Sequence, residues 1–169
     1  AVAGIVDSST RRRAEYSTDA SNYRVVPQVV VMPKNEEDVV EAVRIARRHG
    51  LAVTGRGAGT SCAGNAVGPG LVLDFSRFMN QIISIDAENR TAVVQPGVVL
   101  SDLQRAAGVH GLRFGPDPST STRCTIGGMI AARMGAVARE RLDACVYAGR
   151  PAPVERPEPA LRTAPRLPS

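Results

Sequence analysis

Between Thr54 and Asn65 the chain reads Thr-Gly-Arg-Gly-Ala-Gly-Thr-Ser-Cys-Ala-Gly-Asn, so that four glycines (55, 57, 59 and 64) fall within ten positions. Glycine admits positive φ and close approach of the backbone to a ligand. Successive amides in such a run form a concavity that holds anions. Arg56 adds a planar cation and Thr60 and Ser61 add hydroxyl donors. A phosphate is the ligand this chemistry suits. A merely flexible surface loop is the alternative, and Arg-Gly-x-Gly-Thr-Ser is more specific than linker composition.

Two better-known phosphate loops do not fit. A Walker loop needs Lys after its last glycine, whereas the nearest match, Gly59 to Gly64, is followed by Asn65. A dinucleotide fingerprint needs a third Gly or Ala that opens a helix. Here Gly55-x-Gly57 runs on to Thr60 and then to Asn65-Ala66-Val67-Gly68-Pro69-Gly70, which cannot begin one. The loop is therefore expected to pass between two strands.

A second group of small and hydroxylated residues lies further on, from Phe114-Gly115-Pro116-Asp117-Pro118-Ser119 to Thr125-Ile126-Gly127-Gly128-Met129-Ile130-Ala131. Pro116 and Pro118 fix φ, Gly127 and Gly128 allow close backbone approach, and Thr120, Ser121, Thr122 and Thr125 offer hydroxyls. A plain Ser/Thr-rich loop is the alternative reading of this stretch.

The two clusters together resemble the flavin-binding half of the FAD-linked oxidases of the vanillyl-alcohol oxidase and p-cresol methylhydroxylase superfamily. Within it they are most similar to the 2-hydroxy-acid branch, the D-lactate, glycolate and D-2-hydroxyglutarate dehydrogenases. The likeness runs from about Tyr16 to Ala131 and includes the lead-in Thr18-Asp19-Ala20-Ser21-x-Tyr23. It implies an α+β, PCMH-type FAD-binding fold: a small parallel β-α-β subdomain, then a second mixed sheet with helices, truncated after about residue 131. It implies FAD as cofactor, with the pyrophosphate held by Arg56, Gly57, Ala58, Gly59, Thr60 and Ser61 and the loop geometry by Asn65. Pro116, Asp117, Ser119, Thr122, Thr125, Gly127, Gly128 and Ile130 would then lie along the flavin. Relatives with a covalent flavin often carry His where Thr60 stands, so a non-covalent FAD is expected. In the relatives hydride passes from the substrate α-carbon to flavin N5, and a C-terminal cap domain supplies the catalytic His residues. No catalytic residue is assigned to this chain, and a 2-hydroxy acid is expected as substrate only together with that cap. Some relatives are fused to an iron–sulfur domain, so an iron–sulfur domain or subunit is admitted as a partner.

The elements that must position these loops are legible nearby. Val29 to Met32 reads as a buried strand closed by Pro33, and Asn35 as the N-cap of a helix. Glu36, Glu37 and Asp38 suit its positive end, and Val39, Val40, Val43 and Ala46 its apolar face. Arg47, Arg48 and His49 before Gly50 end it. Leu51-Ala52-Val53 is the next strand, which completes a parallel, right-handed unit. Leu71 to Phe75 is a third strand. Ile82 to Asp86 and Thr91 to Gln95 bracket Ala87-Glu88-Asn89-Arg90 as a hairpin. Ser101 is expected to cap a short helix, 102–107, ended by Gly108. His49 and His110 are read as helix-end and turn residues.

Composition bounds the rest. The 169 residues suit one domain, the 43% apolar share provides a core, and the 4% aromatic share means that core is aliphatic. No apolar run reaches the eighteen or so residues of a membrane span. Three cysteines at 62, 124 and 145 have no paired spacing, which indicates neither a disulfide framework nor a metal site; a cytoplasmic setting is expected. The start lacks both a signal-like apolar core and an initiator Met, which suggests a fragment. Of the net charge of +5, three belong to the stretch from Arg133, with seven arginines against four acids. That basicity gives no ground for a nucleic-acid partner, and Arg11-Arg12-Arg13 reads as a solvated run. Three regions follow: an irregular arm (1–24), an incomplete FAD-binding domain (25–131), and an Arg/Pro-rich tail (132–169), disordered or frameshifted, holding six of the twelve prolines. Two further readings stand beside the oxidoreductase: a truncated, non-catalytic fragment with weak or no flavin binding, and a flavin subunit served by a separate substrate domain.

Overall fold

A computed structural model describes residues 2–131 together with 152–153. The chain forms β1 (Ile5–Asp7), α1 (Thr10–Glu15), β2 (Val29–Met32), α2 (Glu36–Arg48), β3 (Val53–Arg56), β4 (Leu71–Asp74), β5 (Ile82–Asp86), β6 (Thr91–Val94), α3 (Leu100–Gly108), α4 (Ile126–Ala131) and β7 (Ala152–Pro153). The α+β architecture read from the sequence is present. One sheet runs in the order β1-β2-β4-β3 and a second in the order β5-β6-β7. The tail read at 132–169 and Cys145 lie outside the described residues, apart from β7, which pairs with β6.

Burial explains the strand order. β2 and β3 both run parallel to β4, so the strand-helix-strand unit exists, but β4 separates its two strands. Leu71-Val72-Leu73-Asp74 is buried at every position and takes a central place, whereas Val53-Thr54-Gly55-Arg56 alternates between exposed and half-buried and takes the edge. β3 also starts later than Leu51 and runs to Arg56, so the strand itself delivers Arg56 to the loop. The turn that follows leads to β4 with no intervening helix, as expected.

The first sheet is covered on both faces. Val31, Leu71 and Leu73 pack with Ala42 and Ala46 of α2, while Val30, Met32 and Val72 pack with Tyr16 and Phe78. The face of α2 differs from the one expected: Val40 and Val43 are 56% and 42% exposed, and Asp38, Ala42 and Ala46 are buried. The two alanines let the helix backbone approach the sheet closely, and that contact line rotates the valines outward.

The arm is regular in its first part, through β1 and α1, and holds no helix or strand from Tyr16 to Arg24. β1 pairs antiparallel with β2, which makes the first sheet the mixed one; both pairings recorded for the second are antiparallel. In α1, the Ser9 hydroxyl accepts from the Arg12 amide at 3.3 Å. Arg11 and Arg12 pair with Glu15, and Arg13 donates to the Pro27 carbonyl at 2.7 Å. Three- and six-residue elements are too short to carry a period, and β1 forms because β2 offers it an open edge. In α3 the cap is Val99 and not Ser101. The Leu100 and Ser101 amides donate to the Cys124 and Ser121 carbonyls, so no side-chain cap is needed. Gly108 lies within that helix, and the left-handed residue beyond it is Gly111.

Asp38 joins the arm to α2. The Asn35 side chain caps the helix through the Asp38 amide at 2.9 Å, and the Asp38 carboxylate accepts from the Lys34 amide at 2.9 Å and the Ala3 amide at 2.6 Å. The Lys34 amide bond, opposed by burial and helped by the Ala3 amide, holds this carboxyl below its usual value. A carboxylate with its folded pKa below an unfolded value of about 3.9 adds stability above that value and loses it as pH falls through the lower folded one. Melting temperature is therefore expected to fall below about pH 4, and less steeply in Asp38→Asn, which also melts lower at neutral pH. Parallel curves of melting temperature against pH for the two proteins would contradict this.

Candidate functional site

The two glycine clusters meet at one point. A Cβ on Gly57 would collide with Thr125 Oγ1, and would stand 3.1 Å from both Cβ and Cγ2 of Thr125. Gly57 leaves β3 at its end, while Thr125 is buried, bridged in antiparallel fashion to Val99. The first loop and the second thus touch directly because residue 57 has no side chain. Thr125 also caps α4: its hydroxyl accepts from the Gly128 amide at 3.3 Å and its carbonyl from the Met129 amide at 2.9 Å, which leaves the hydroxyl proton for another acceptor.

Within the first loop the donor set is that of an anion site. Among the described residues, no internal acceptor takes the amides of Ala58, Gly59, Thr60 and Ser61. Gly59 sits at φ +69°, which an L side chain resists. Thr60 and Ser61 are half-buried. Ser61 Oγ accepts from the Ala63 and Asn65 amides at 3.2 and 3.3 Å, which closes the far half of the loop. Asn65 itself is exposed. Four successive amides with two adjoining hydroxyls fit the pyrophosphate of a dinucleotide cofactor.

Arg56 is engaged by the fold. Its NH1 donates to the Thr18 carbonyl at 2.9 Å and the Ala66 carbonyl at 3.1 Å, and the guanidinium lies 5.0 Å from the centroid of the Tyr16 ring. A Cβ at Gly59 would come within 2.7 Å of NH2 of the same guanidinium. The hydroxyl of Tyr16 donates to Asp74 Oδ2, and Asp74 Oδ1 accepts from the Ser76 amide at 2.8 Å and hydroxyl at 2.6 Å. Burial first, and then the Asp74 carboxylate, push the Tyr16 phenol upward, so it stays protonated and donating at neutral pH. This arrangement was not legible in the sequence, where Arg56 is simply the cation of the loop.

The second cluster is less concentrated. Pro116 is half-buried, and Asp117, Ser119, Thr122 and Gly128 are exposed; Asp117 pairs with Arg113 at 3.0 Å. Ile130 packs against the core that also holds Phe114, Ile126 and Met129. The Gly127 amide donates to the Pro96 carbonyl at 2.9 Å, and a Cβ there would lie 2.7 Å from Pro96 Cβ. Gly127 is thus a packing residue between α4 and the turn after β6, and its amide is spent. Gln104 of α3 carries no signal in the sequence: its side chain donates to the Phe114 carbonyl at 2.7 Å and accepts from the Phe114 amide at 3.0 Å. That pair fixes where the second cluster starts, and nothing short of the contact itself signals it.

A family model described as "FAD binding domain" matches residues 27–148. The chain belongs to this FAD binding domain family, and its cofactor is FAD. It is 41% identical over 132 residues to the glycolate oxidase subunit GlcD of Bacillus subtilis, covering 76% of this chain and 28% of that protein. It is 38% identical over 130 residues to the D-2-hydroxyglutarate dehydrogenase of Pseudomonas putida, covering 75% and 13%. Among solved structures it is similar to an alkyldihydroxyacetonephosphate synthase, with a TM-score of 0.65, 22% identity and coverage of 75% of this chain and 28% of that one. It is also similar to a BBE-like 1 variant from Physcomitrella patens, at 0.63 and 23%, covering 76% and 28%. These two likenesses show the fold. The chain spans between 13% and 28% of the length of these two curated relatives. Among the described residues, no helix is long and apolar enough to cross a membrane.

Gln104→Ala leaves the amide and carbonyl of Phe114 without these partners. A loss of about 1–3 kcal/mol is expected, measured by denaturant unfolding of the FAD-free chain, with Gln104→Glu, which keeps only the acceptor, in between. Equal unfolding midpoints for the parent and Gln104→Ala would show that the start of the second cluster is held by something else.

Proposed function

We propose that the chain is the FAD-binding portion of a flavin-dependent oxidoreductase that oxidises a 2-hydroxy acid such as glycolate, D-lactate or D-2-hydroxyglutarate. The observation that carries the cofactor half of this reading is the run of four amides, Ala58 to Ser61, that find no acceptor among the described residues, beside the Gly57–Thr125 contact. The substrate half is supported by the relatives, among them a D-lactate dehydrogenase of Archaeoglobus fulgidus at 40% identity over 111 residues. In such an enzyme FAD supplies the chemistry that accepts a hydride from the α-carbon of the acid.

In this reading Ala58, Gly59, Thr60 and Ser61 take the pyrophosphate, Gly57 gives the clearance, and Arg56 and Asn65 shape the loop. The Thr125 hydroxyl, with Pro116, Asp117, Ser119, Thr122, Gly128 and Ile130, faces the flavin side, and Gly127 seats α4. The flavin is non-covalent in this reading, which rests on Thr60 standing where relatives with a covalent flavin often carry His. A substrate domain completes the active enzyme, an iron–sulfur domain or subunit is a candidate partner, and the setting is cytoplasmic. Catalytic residues belong to that substrate domain.

FAD titration followed by flavin fluorescence tests the central part. Gly59→Ala places a Cβ at positive φ against Arg56, and Gly57→Ala pushes Thr125 away. Each is expected to weaken FAD by about ten-fold or more, given a strain of about 1–3 kcal/mol. If both bind like the parent, the pyrophosphate does not lie on this loop. Acid precipitation should leave the flavin in the supernatant, and yellow colour retained in the pellet would overturn the non-covalent assignment.

A further inference from the structure

The glycine loop is closed at its neck by residues that precede the matched family unit, which begins at residue 27. The peptide groups on either side of Ala66 are tied to the arm and to the end of β3. The Ala66 amide donates to Asp19 Oδ2 at 3.3 Å, and the Ala66 carbonyl accepts from Arg56 NH1 at 3.1 Å. The same Arg56 nitrogen donates to the Thr18 carbonyl at 2.9 Å. Further along, the Ala20 amide donates to the Gly59 carbonyl at 3.0 Å. Asp19 is itself held by the Ser21 amide at 2.9 Å and by the Ser21 hydroxyl. Burial pushes the Asp19 carboxyl up, but the Ser21 and Ala66 bonds and the Arg56 charge outweigh it, so the group stays ionised.

Ten residues from Gly57 to Ala66 therefore start and finish at one junction. Ala66 is 7% exposed, whereas none of residues 57–65 before it is buried. A loop with free amides and several glycines is costly to order when a ligand arrives, and a neck that orders it beforehand removes part of that cost. Resting on the reading that this loop takes the FAD pyrophosphate, we propose that Asp19 is a positioning residue of the cofactor site, setting the conformation of Gly57 to Ala66 from a segment outside the matched domain.

The full-length chain tests this with two readouts. Asp19→Ala is expected to speed hydrogen exchange at the Ala66 amide in the cofactor-free protein and to weaken FAD by about ten-fold or more, the penalty of ordering a loop upon binding. Its melting temperature should shift only slightly, because the hydrogen bonds of the Asp19 carboxylate go to Ser21 and Ala66, which lie in loops, and not to the backbone of a strand. Asp19→Asn keeps an oxygen for the Ala66 amide, but its NH2 then faces the Ser21 amide, donor against donor, with only the Ser21 hydroxyl able to accept from it, so it should recover part of both effects. Faster exchange with unchanged FAD affinity would overturn the proposal, as would Asp19→Asn behaving like Asp19→Ala. If the parent itself fails to bind FAD, the functional reading falls, and exchange at Ala66 that is identical in parent and Asp19→Ala would then overturn the neck as well.

Discussion

Everything in the site depends on residue 57 having no side chain. Gly57 lies where β3 ends, and Thr125 lies where α4 begins, nearly seventy positions later in the chain. The space that a Cβ would occupy is filled by the Thr125 hydroxyl, so the loop from the first sheet rests on the segment packed with the second. A methyl group here would not weaken one bond among many. It would separate the unaccepted amides of Ala58 to Ser61 from the hydroxyl that lies against the same loop.

Each loop is also anchored at a distance from that contact, and the anchors are of different kinds. The first is closed by charge-assisted bonds, with Arg56 donating to two carbonyls and Asp19 accepting from the peptide amide of Ala66. The second is held by backbone stitches and one amide side chain. The Ile126 amide donates to the Val98 carbonyl at 2.8 Å and the Leu100 amide to the Cys124 carbonyl at 3.0 Å, and Gln104 grips Phe114 from both sides. These bonds sit over a well-packed core of Leu100, Leu103, Phe114 and Met129. The second loop is thus fixed by hydrophobic burial with its polar groups satisfied, and the first mainly by polar contacts around the buried Ala66. The first is the more sensitive to changes of charge.

How much of this could be read from the residues follows from the range of the interactions. The loop between two strands, α2 with its Asn35 cap, and the hairpin of β5 and β6 rest on local signals: glycine spacing, a cap and its acidic first turn, and turn residues between β-branched runs. The central place of β4, the outward turn of Val40 and Val43, and the capping of α3 by carbonyls of a later loop are set by partners distant in sequence. No period in the local sequence encodes them. The same holds for the site. Gly57, Gly59, Thr60 and Ser61 were identifiable by type and spacing, whereas Tyr16, Asp19, Asp74 and Gln104 act only through contacts made by folding. Arg56 and Gly127 were identifiable too, but their partners within the fold were not: an arginine in a glycine loop suggests a ligand before it suggests the Thr18 and Ala66 carbonyls, and a Gly-Gly pair suggests close approach to a ligand before it suggests Pro96.

The most direct measurement is a double-mutant cycle on the FAD dissociation constant with Gly57→Ala and Thr125→Ala. Thr125→Ala removes the Oγ1 and Cγ2 atoms that a Cβ at residue 57 would meet, at the expense of the cap on the Gly128 amide. If the two clusters form one site through this contact, the double variant binds FAD more tightly than Gly57→Ala alone, with a coupling within about 0.5–3 kcal/mol. Strictly additive losses would mean that the two residues do not meet in the folded protein, and the account of a joined site would be wrong.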